Sequence, residues 1–278
     1  MPKKQPLTLQ QAADKLGVHY MTVYRYVRTG KLSATRVGGA WQVDPDDLAQ
    51  MKPAVPRNPR NPAARTTATR AQLETRLLAG DEPGAWGVLE AALASDRSPS
   101  EVLLLLVAPA LESIGDRWHV GELTVADEHR ASAVAVRLIS RIGARFARRG
   151  PKRGNVVITT PPAERHSAPV AIAADLLRWA GFNVIELGAD TPADALAQAV
   201  ADMPDLLAVA LACTTQASTP SARRVIAHLR TALPGTTVLL GGAAITDADQ
   251  ALRLGADGFS GRRGDDLVRV IEELAAAR

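Results

Sequence analysis

NVVITTPPAERHSAPV, from Asn155 to Val170, decides the fold of the second half of the chain. Its opening is apolar and rich in β-branched residues, which predicts a buried strand at 155–160. Pro161-Pro162 end that strand, and a helix is expected over 167–180. The same alternation continues to the C-terminus. Strands are expected at 182–187, 206–213, 236–241 and 256–260, with helices near 192–202, 219–232, 247–254 and 265–276. Five strand–helix units imply a flavodoxin-like parallel sheet, covered by helices on both faces and joined by right-handed crossovers. Ligands of such sheets sit beyond the carboxyl ends of the strands, where the strand order reverses. Glu164 and His166 fall in the loop after the first strand, at that edge. An imidazole nitrogen is a good donor to a borderline transition metal. A carboxylate two residues earlier can orient the ring.

Upstream, residues 71–150 read as helices only. Ser98-Pro99-Ser100-Glu101 combines a cap, a first-turn proline and a capping-box acid. The helix it opens should end near Trp118. Gly121 breaks the chain, and Thr124 can cap a last helix running to about Arg149. Earlier helices near 71–79 and 84–94 complete a four-helix bundle. Before it, 53–70 carries prolines at 53, 56, 59 and 62. That spacing favours an extended, semi-flexible tether.

Residues 1–52 form the head. Thr8 and Gln11 stand at capping-box spacing, and Leu9, Ala12, Ala13 and Leu16 form one apolar stripe of a short helix ended by Gly17. A second helix is expected from about His19 to Arg28, with Val23 and Val27 inward. Tyr20, Thr22, Tyr24, Arg25 and Arg28 are expected on or near its outer face. Two short helices around a tight turn, the second rich in Arg, Tyr and Thr, describe a helix-turn-helix. Residues 34–43 read as two strands around Gly38-Gly39, a pair suited to a two-residue hairpin. Arg36 and Trp41 should lie opposite each other on this wing. Asp44-Pro45 caps and opens another helix. The expected DNA contacts are Tyr24, Arg25, Arg28 and Arg36.

Charge agrees with this division. The formal net charge is +4, but residues 1–70 carry 12 Lys/Arg against 4 Asp/Glu, and the remainder 21 against 25. A basic head on a mildly acidic body suits a polyanion partner. The longest apolar run, Val102 to Leu111, is too short to span a bilayer, which needs about 20 residues. The first residues carry no secretion signal pattern. A single cysteine, Cys213, excludes an internal disulfide and fits a soluble, cytoplasmic protein with no membrane partner. Cys213 itself reads as a small core residue, and His19 and His228 have no evident partner. No Walker loop, paired-carboxylate site or zinc spacing is present, so no enzyme activity is expected.

The head resembles the excisionase-type winged helix-turn-helix of the MerR superfamily over LTLQQAADKLGVHYMTVYRYVRTGKLSATRVGGAWQVDPDDL. The third segment, 151–278, is similar to cobalamin-binding domains. Their motif, Asp-x-His-x-x-Gly, stands here as Glu164-x-His166-x-x-Pro169. The resemblance implies His166 as the lower cobalt ligand, with the cofactor's own base and nucleotide tail slotted into the sheet edge. Thr214-Thr215 after the third strand and Gly241-Gly242 after the fourth match the family's remaining tail contacts. Glu164 replaces Asp, and Pro169 replaces Gly where the helix begins near the tail.

The bundle adds Trp118 followed, after nine residues, by Glu128-His129. Head, bundle and cobalamin domain in this order resemble the CarH/LitR photoreceptor regulators. The resemblance implies that Trp118, Glu128 and His129 cover the upper face of adenosylcobalamin. It also implies that His119 binds cobalt once light removes the adenosyl group. The function expected is a light-responsive repressor that holds double-stranded operator DNA as a dark homo-tetramer and releases it on photolysis. The rival expectations are a corrinoid carrier in methyl transfer, and a regulator of the same fold that senses another ligand.

Overall fold

The computed structural model describes residues 6–16, 18, 20–37, 40–51, 62–95, 97–146 and 150–278. Gly17, His19, the Gly38-Gly39 pair and residues 53–61 of the expected tether lie outside these. The chain divides into two compact units, the first ending at Ala135 and the second beginning at Val136.

In the first unit, β1 (Leu7–Thr8) leads into α1 (Leu9–Leu16), followed by α2 (Tyr20–Arg28), β2 (Ala34–Val37), β3 (Ala40–Val43) and α3 (Pro45–Gln50). The capping box at Thr8 forms, with Gln11 N–H donating to Thr8 Oγ1 at 3.2 Å and Thr8 N–H to Gln11 Oε1 at 2.9 Å. The strands make a small antiparallel sheet in the order β1-β3-β2. β1 is an addition to the expected hairpin: Leu7 pairs with Val43 and Thr8 with Gln42. Arg36 does lie opposite Trp41, and its guanidinium sits 5.4 Å from the indole centroid.

The bundle helices are α4 (Pro62–Leu78), α5 (Glu82–Ala94), a continuous helical run from Pro99 to His119, and α8 (Val125–Gly143). α4 starts inside the stretch expected to be a tether, because Pro62 can occupy a first helical turn and Ala63, Ala64 and Ala68 favour helix. The long run comprises α6 (Pro99–Val102), a π-helical turn (Leu103–Val107) and α7 (Ala108–His119). Pro109 has no N–H to return to the carbonyl of Leu105, and the widened turn stands just before it. The reciprocal Ser98–Glu101 capping box is present. α8 gives way to a short 3-10 turn, Ala144–Phe146, so its regular part is shorter than expected.

The second unit holds β4 (Asn155–Thr159), α9 (Ser167–Ala180), β5 (Asn183–Glu186), α10 (Ala193–Val200), β6 (Leu206–Ala212), α11 (Thr219–Ala232), β7 (Val238–Gly241), α12 (Ala248–Arg253), β8 (Gly258–Phe259) and α13 (Gly264–Ala276). All strand pairs are parallel, in the order β5-β4-β6-β7-β8. Val156, Val157 and Ile158 of β4 are almost wholly buried, as a strand covered on both faces requires. The strand order reverses between β4 and β6. The loops that follow these two strands are therefore the ones that flank the switch point.

Candidate functional site

The loop after β4 is built around one carboxylate. Glu164 is 1 % exposed. Its Oε1 lies 2.5 Å from His166 Nδ1. Its Oε2 accepts the backbone N–H groups of Thr214 and Thr215 at 2.9 and 3.0 Å, and the hydroxyls of Thr215 and Ser218 at 3.2 and 3.1 Å. Burial alone would raise the carboxyl pKa. The bonds from His166, Thr214 and Thr215 outweigh burial and hold the group well below the usual carboxylate range. An ionised carboxylate at Nδ1 favours the tautomer with its proton on that nitrogen, which leaves the lone pair on Nε2, the metal-ligating form of imidazole. Half of the His166 side chain, 48 %, is exposed. Thr214 Oγ1 lies 2.9 Å from the same Nδ1.

The loop itself is braced from the neighbouring strand. The Thr160 hydroxyl donates to the Glu164 carbonyl at 2.6 Å and accepts the Asp190 N–H at 2.8 Å. Asp190 Oδ1 in turn accepts the Ala163 N–H at 2.7 Å, and Ala163 and Asp190 both adopt positive φ. Two residues of positive φ, joined by that bond and tied to Thr160 and Glu164, fix where His166 emerges.

Gly241 and Gly242 close the strand edge where side chains cannot fit. A Cβ on Gly241 would stand 2.2 Å from Ser260 Oγ, and one on Gly242, whose φ is +99°, 2.3 Å from the Cys213 carbonyl. Together with Ile158, Pro169, Ala210 and Leu267 they line a narrow, mainly apolar cleft. Pro169 is exposed in the first turn of α9, so the replacement of Gly leaves the helix start intact. Cys213 is buried in the core, with burial pushing its thiol up to about 11. His228 pairs with Asp194 at 3.1 Å.

In the first unit, Trp118 and His119 end α7 and their rings meet edge to face, 5.5 Å between centroids. Backbone bonds from Gly121, Glu122 and Leu123 fold the connection back onto Trp118 and Arg117. Thr124 then caps α8 with Asp127, at 3.2 Å from its N–H. Glu128 and His129 thus follow within the first turns of α8, at the same end of the bundle. Glu128 accepts from Ser132 Oγ at 2.5 Å, and His129 is exposed.

The head departs from expectation at α2. Tyr20, Thr22 and Tyr24 are buried rather than outward-facing, Tyr24 completely. Tyr20, Val23, Tyr24 and Val27 follow the i, i+3, i+4, i+7 rule and make a single inward stripe. On another side of α2, Thr22 Oγ1 donates to Glu101 Oε1 at 2.8 Å and Arg25 lies 3.3 Å from Glu101 Oε2. Burial would raise the Glu101 pKa, but Ser98, Thr22 and Arg25 keep it lowered. Arg28 and Arg36 are exposed. Sequence reasoning missed Ser218, Thr160, Asp190 and the second role of Glu101. Ser218 had a signal, being a small hydroxyl residue in the loop after β6. Glu101 already had a complete local explanation as a capping acid.

These features define a cobalamin-binding fold that shares its chain with a helix-turn-helix head. Residues 6–52 match the helix-turn-helix domain model, and residues 69–142 and 154–271 each match a B12 binding domain model. The chain is 37 % identical over 167 residues to the HTH-type transcriptional repressor CarH of Myxococcus xanthus, 59 % of this chain and 54 % of that protein. It therefore spans about half the length of this relative. A trimethylamine corrinoid protein of Methanosarcina barkeri is 27 % identical over 196 residues, 68 % of this chain and 89 % of that protein. The solved monomethylamine corrinoid protein of Methanosarcina barkeri has the same fold, with a TM-score of 0.66, 13 % identity, and coverage of 75 % of this chain and 99 % of that one. A helix-turn-helix domain followed by two B12 binding domains, with this likeness to CarH, is consistent with a cobalamin-binding transcriptional regulator of the CarH type. Among the described residues no helix is long and apolar enough to cross a membrane.

Proposed function

We propose that this chain is an adenosylcobalamin-dependent, light-responsive transcriptional repressor, assembled as a tetramer on operator DNA in the dark. The observation that carries the reading is the Glu164–His166 pair at the switch point of a sheet that shares its chain with a basic winged head. His166 would hold the cobalt from below, and Glu164 would fix its tautomer. The cleft beside Gly241-Gly242, walled by Ile158, Ala210 and Leu267, would take the cofactor's tail. Trp118, Glu128 and His129 would cover the upper face, and His119 would offer a second nitrogen donor from the bundle. When bound, adenosylcobalamin supplies a cobalt–carbon bond that light breaks. The protein's part is to couple the state of the bundle to assembly. A small head binds DNA weakly alone, and linked heads bind far better together.

The docked α2 adds a second control. With Thr22 and Arg25 engaged by Glu101, the helix must leave the bundle before that side meets a duplex. The corrinoid-carrier reading has support in the likeness to the trimethylamine corrinoid protein. A methyl carrier, however, has no use for a basic winged head. The test is to reconstitute the chain with adenosylcobalamin and measure its size and operator binding in the dark and after illumination. A dark tetramer on DNA that dissociates in light supports the repressor. A colourless protein indifferent to light rejects it.

A further inference from the structure

From Arg137 to Arg153 the sequence holds seven Lys/Arg and no Asp/Glu, whereas the rest of residues 71–278 holds 14 against 25. A concentrated positive stretch is thus set in an acidic body, and none of the roles assigned above uses it.

The second unit begins with the C-terminal half of α8, and helical phase sorts the stretch there. Leu138, Ile139, Ile142 and Phe146 are buried, and Phe146 meets Trp179 of α9 edge to face, 5.9 Å between centroids. Val136, Arg137, Ser140, Arg141, Ala144 and Arg145 are exposed. They recur as pairs every four residues, so they share one outer face of α8 and of the 3-10 turn that follows it. The three arginines stand about 6 Å apart along the axis. Their companions on that face are small and uncharged, and the Ser140 hydroxyl is turned back onto the Val136 carbonyl at 2.9 Å. The guanidiniums are therefore the longest groups on the face. Two acids beside this part of α8, Asp175 and Glu186, both bind Arg178, at 2.9 and 3.0 Å. Arg153 is held inside the fold, paired with Glu272 at 2.6 Å and stacked on Phe182.

A row of guanidiniums on a rigid helix fits a regular polyanion. A guanidinium matches phosphate oxygens in geometry as well as charge. A DNA duplex carries a charge about every 1.7 Å of its axis, so a row of this length faces several phosphates. The same chain carries a helix-turn-helix head, which makes DNA the polyanion at hand. We propose that Arg137, Arg141 and Arg145 form a second DNA contact, independent of sequence, that holds the phosphate backbone while the head reads the bases. The proposal rests on the DNA-binding reading of the head.

The test uses the full chain and a long duplex of mixed sequence, titrated by fluorescence anisotropy over a range of salt. The triple variant Arg137→Gln/Arg141→Gln/Arg145→Gln should flatten the salt slope by roughly 0.9 for each phosphate released, up to about 2.7, and weaken binding about tenfold at moderate salt. The corresponding triple replacement by Lys keeps the charge and should keep the slope. Arg253→Gln, which removes an exposed charge at the end of α12, should change neither quantity. If the triple Gln variant does not fold, Arg141→Gln alone replaces it, with an expected loss of roughly 0.9 in slope. Slope and affinity unchanged in the Gln variants overturn the proposal, as does a Lys variant that loses as much slope as the Gln variant. A Gln variant that loses self-association in sedimentation without DNA, while keeping its slope, also overturns it, since the face then joins copies of the chain. A wild-type chain that does not bind the duplex overturns the DNA-binding reading of the head itself, a result distinct from a failure of the α8 face alone.

Discussion

His166 Nδ1 lies 2.5 Å from Glu164 Oε1, while the other oxygen of that carboxylate is closed off by two amides and two hydroxyls. One buried acid therefore ties the loop after β4 to the loop after β6 and sets the ring that faces outward.

Glu164→Gln is expected to weaken corrinoid binding by about 10- to 100-fold, the range typical of losing the partner that orients a metal-ligating histidine. It should also change the acid response. A carboxyl whose pKa is lowered on folding contributes stability above the ordinary glutamate range and loses it as pH falls through and below that range. The stability gap between wild type and Glu164→Gln, read from urea melts, should be widest near neutrality and narrow on acidification. A gap independent of pH would refute this account of the carboxylate.

The docked head predicts a gain of function. Glu101→Gln weakens the hold on Thr22 and Arg25 and should tighten operator binding several-fold in a mobility-shift titration. Ser98→Ala removes the helix cap at a cost of about 1 kcal/mol while leaving Thr22 its partner. It should lower the melting temperature with operator affinity unchanged. Equal affinities in wild type and Glu101→Gln would show that docking does not restrain the head.

At the strand edge, Gly242→Ala should cost more than about 2 kcal/mol, since it combines positive φ with a carbonyl 2.3 Å from the new atom. Gly188 has φ +77° but nothing within 4 Å, so Gly188→Ala should cost roughly 1 kcal/mol. Thermal melts of the two variants separate steric closure from backbone strain.

For DNA, Arg28→Ala and Arg36→Ala should each weaken binding and reduce the salt slope by roughly 0.9 for every phosphate left without its cation. Unchanged slopes in both variants would remove these residues from the interface.

The α/β half was legible to within a few residues because each strand is a short apolar run bounded by Gly, Pro or Asp, and each helix has its own stripe. Caps at Thr8, Asp44 and Ser98 are local and equally readable. What the sequence concealed was tertiary. Tyr24 looked like a DNA-facing residue because it was placed on the outer face of α2, yet its helical phase puts it with Val23 and Val27 in the core. The Thr22–Glu101 bond joins residues 79 positions apart, and no spacing rule announces it.

The central claim is most directly tested by the visible spectrum of the chain reconstituted with adenosylcobalamin, recorded in the dark and after illumination for wild type, His166→Ala and His119→Ala. The account predicts a dark wild-type spectrum with histidine as lower ligand, altered in His166→Ala. It also predicts a lit product with two histidine ligands that His119→Ala fails to form and from which that variant loses cofactor more readily. Dark spectra identical in wild type and His166→Ala, or an unaltered spectrum after illumination of the wild type, would contradict it.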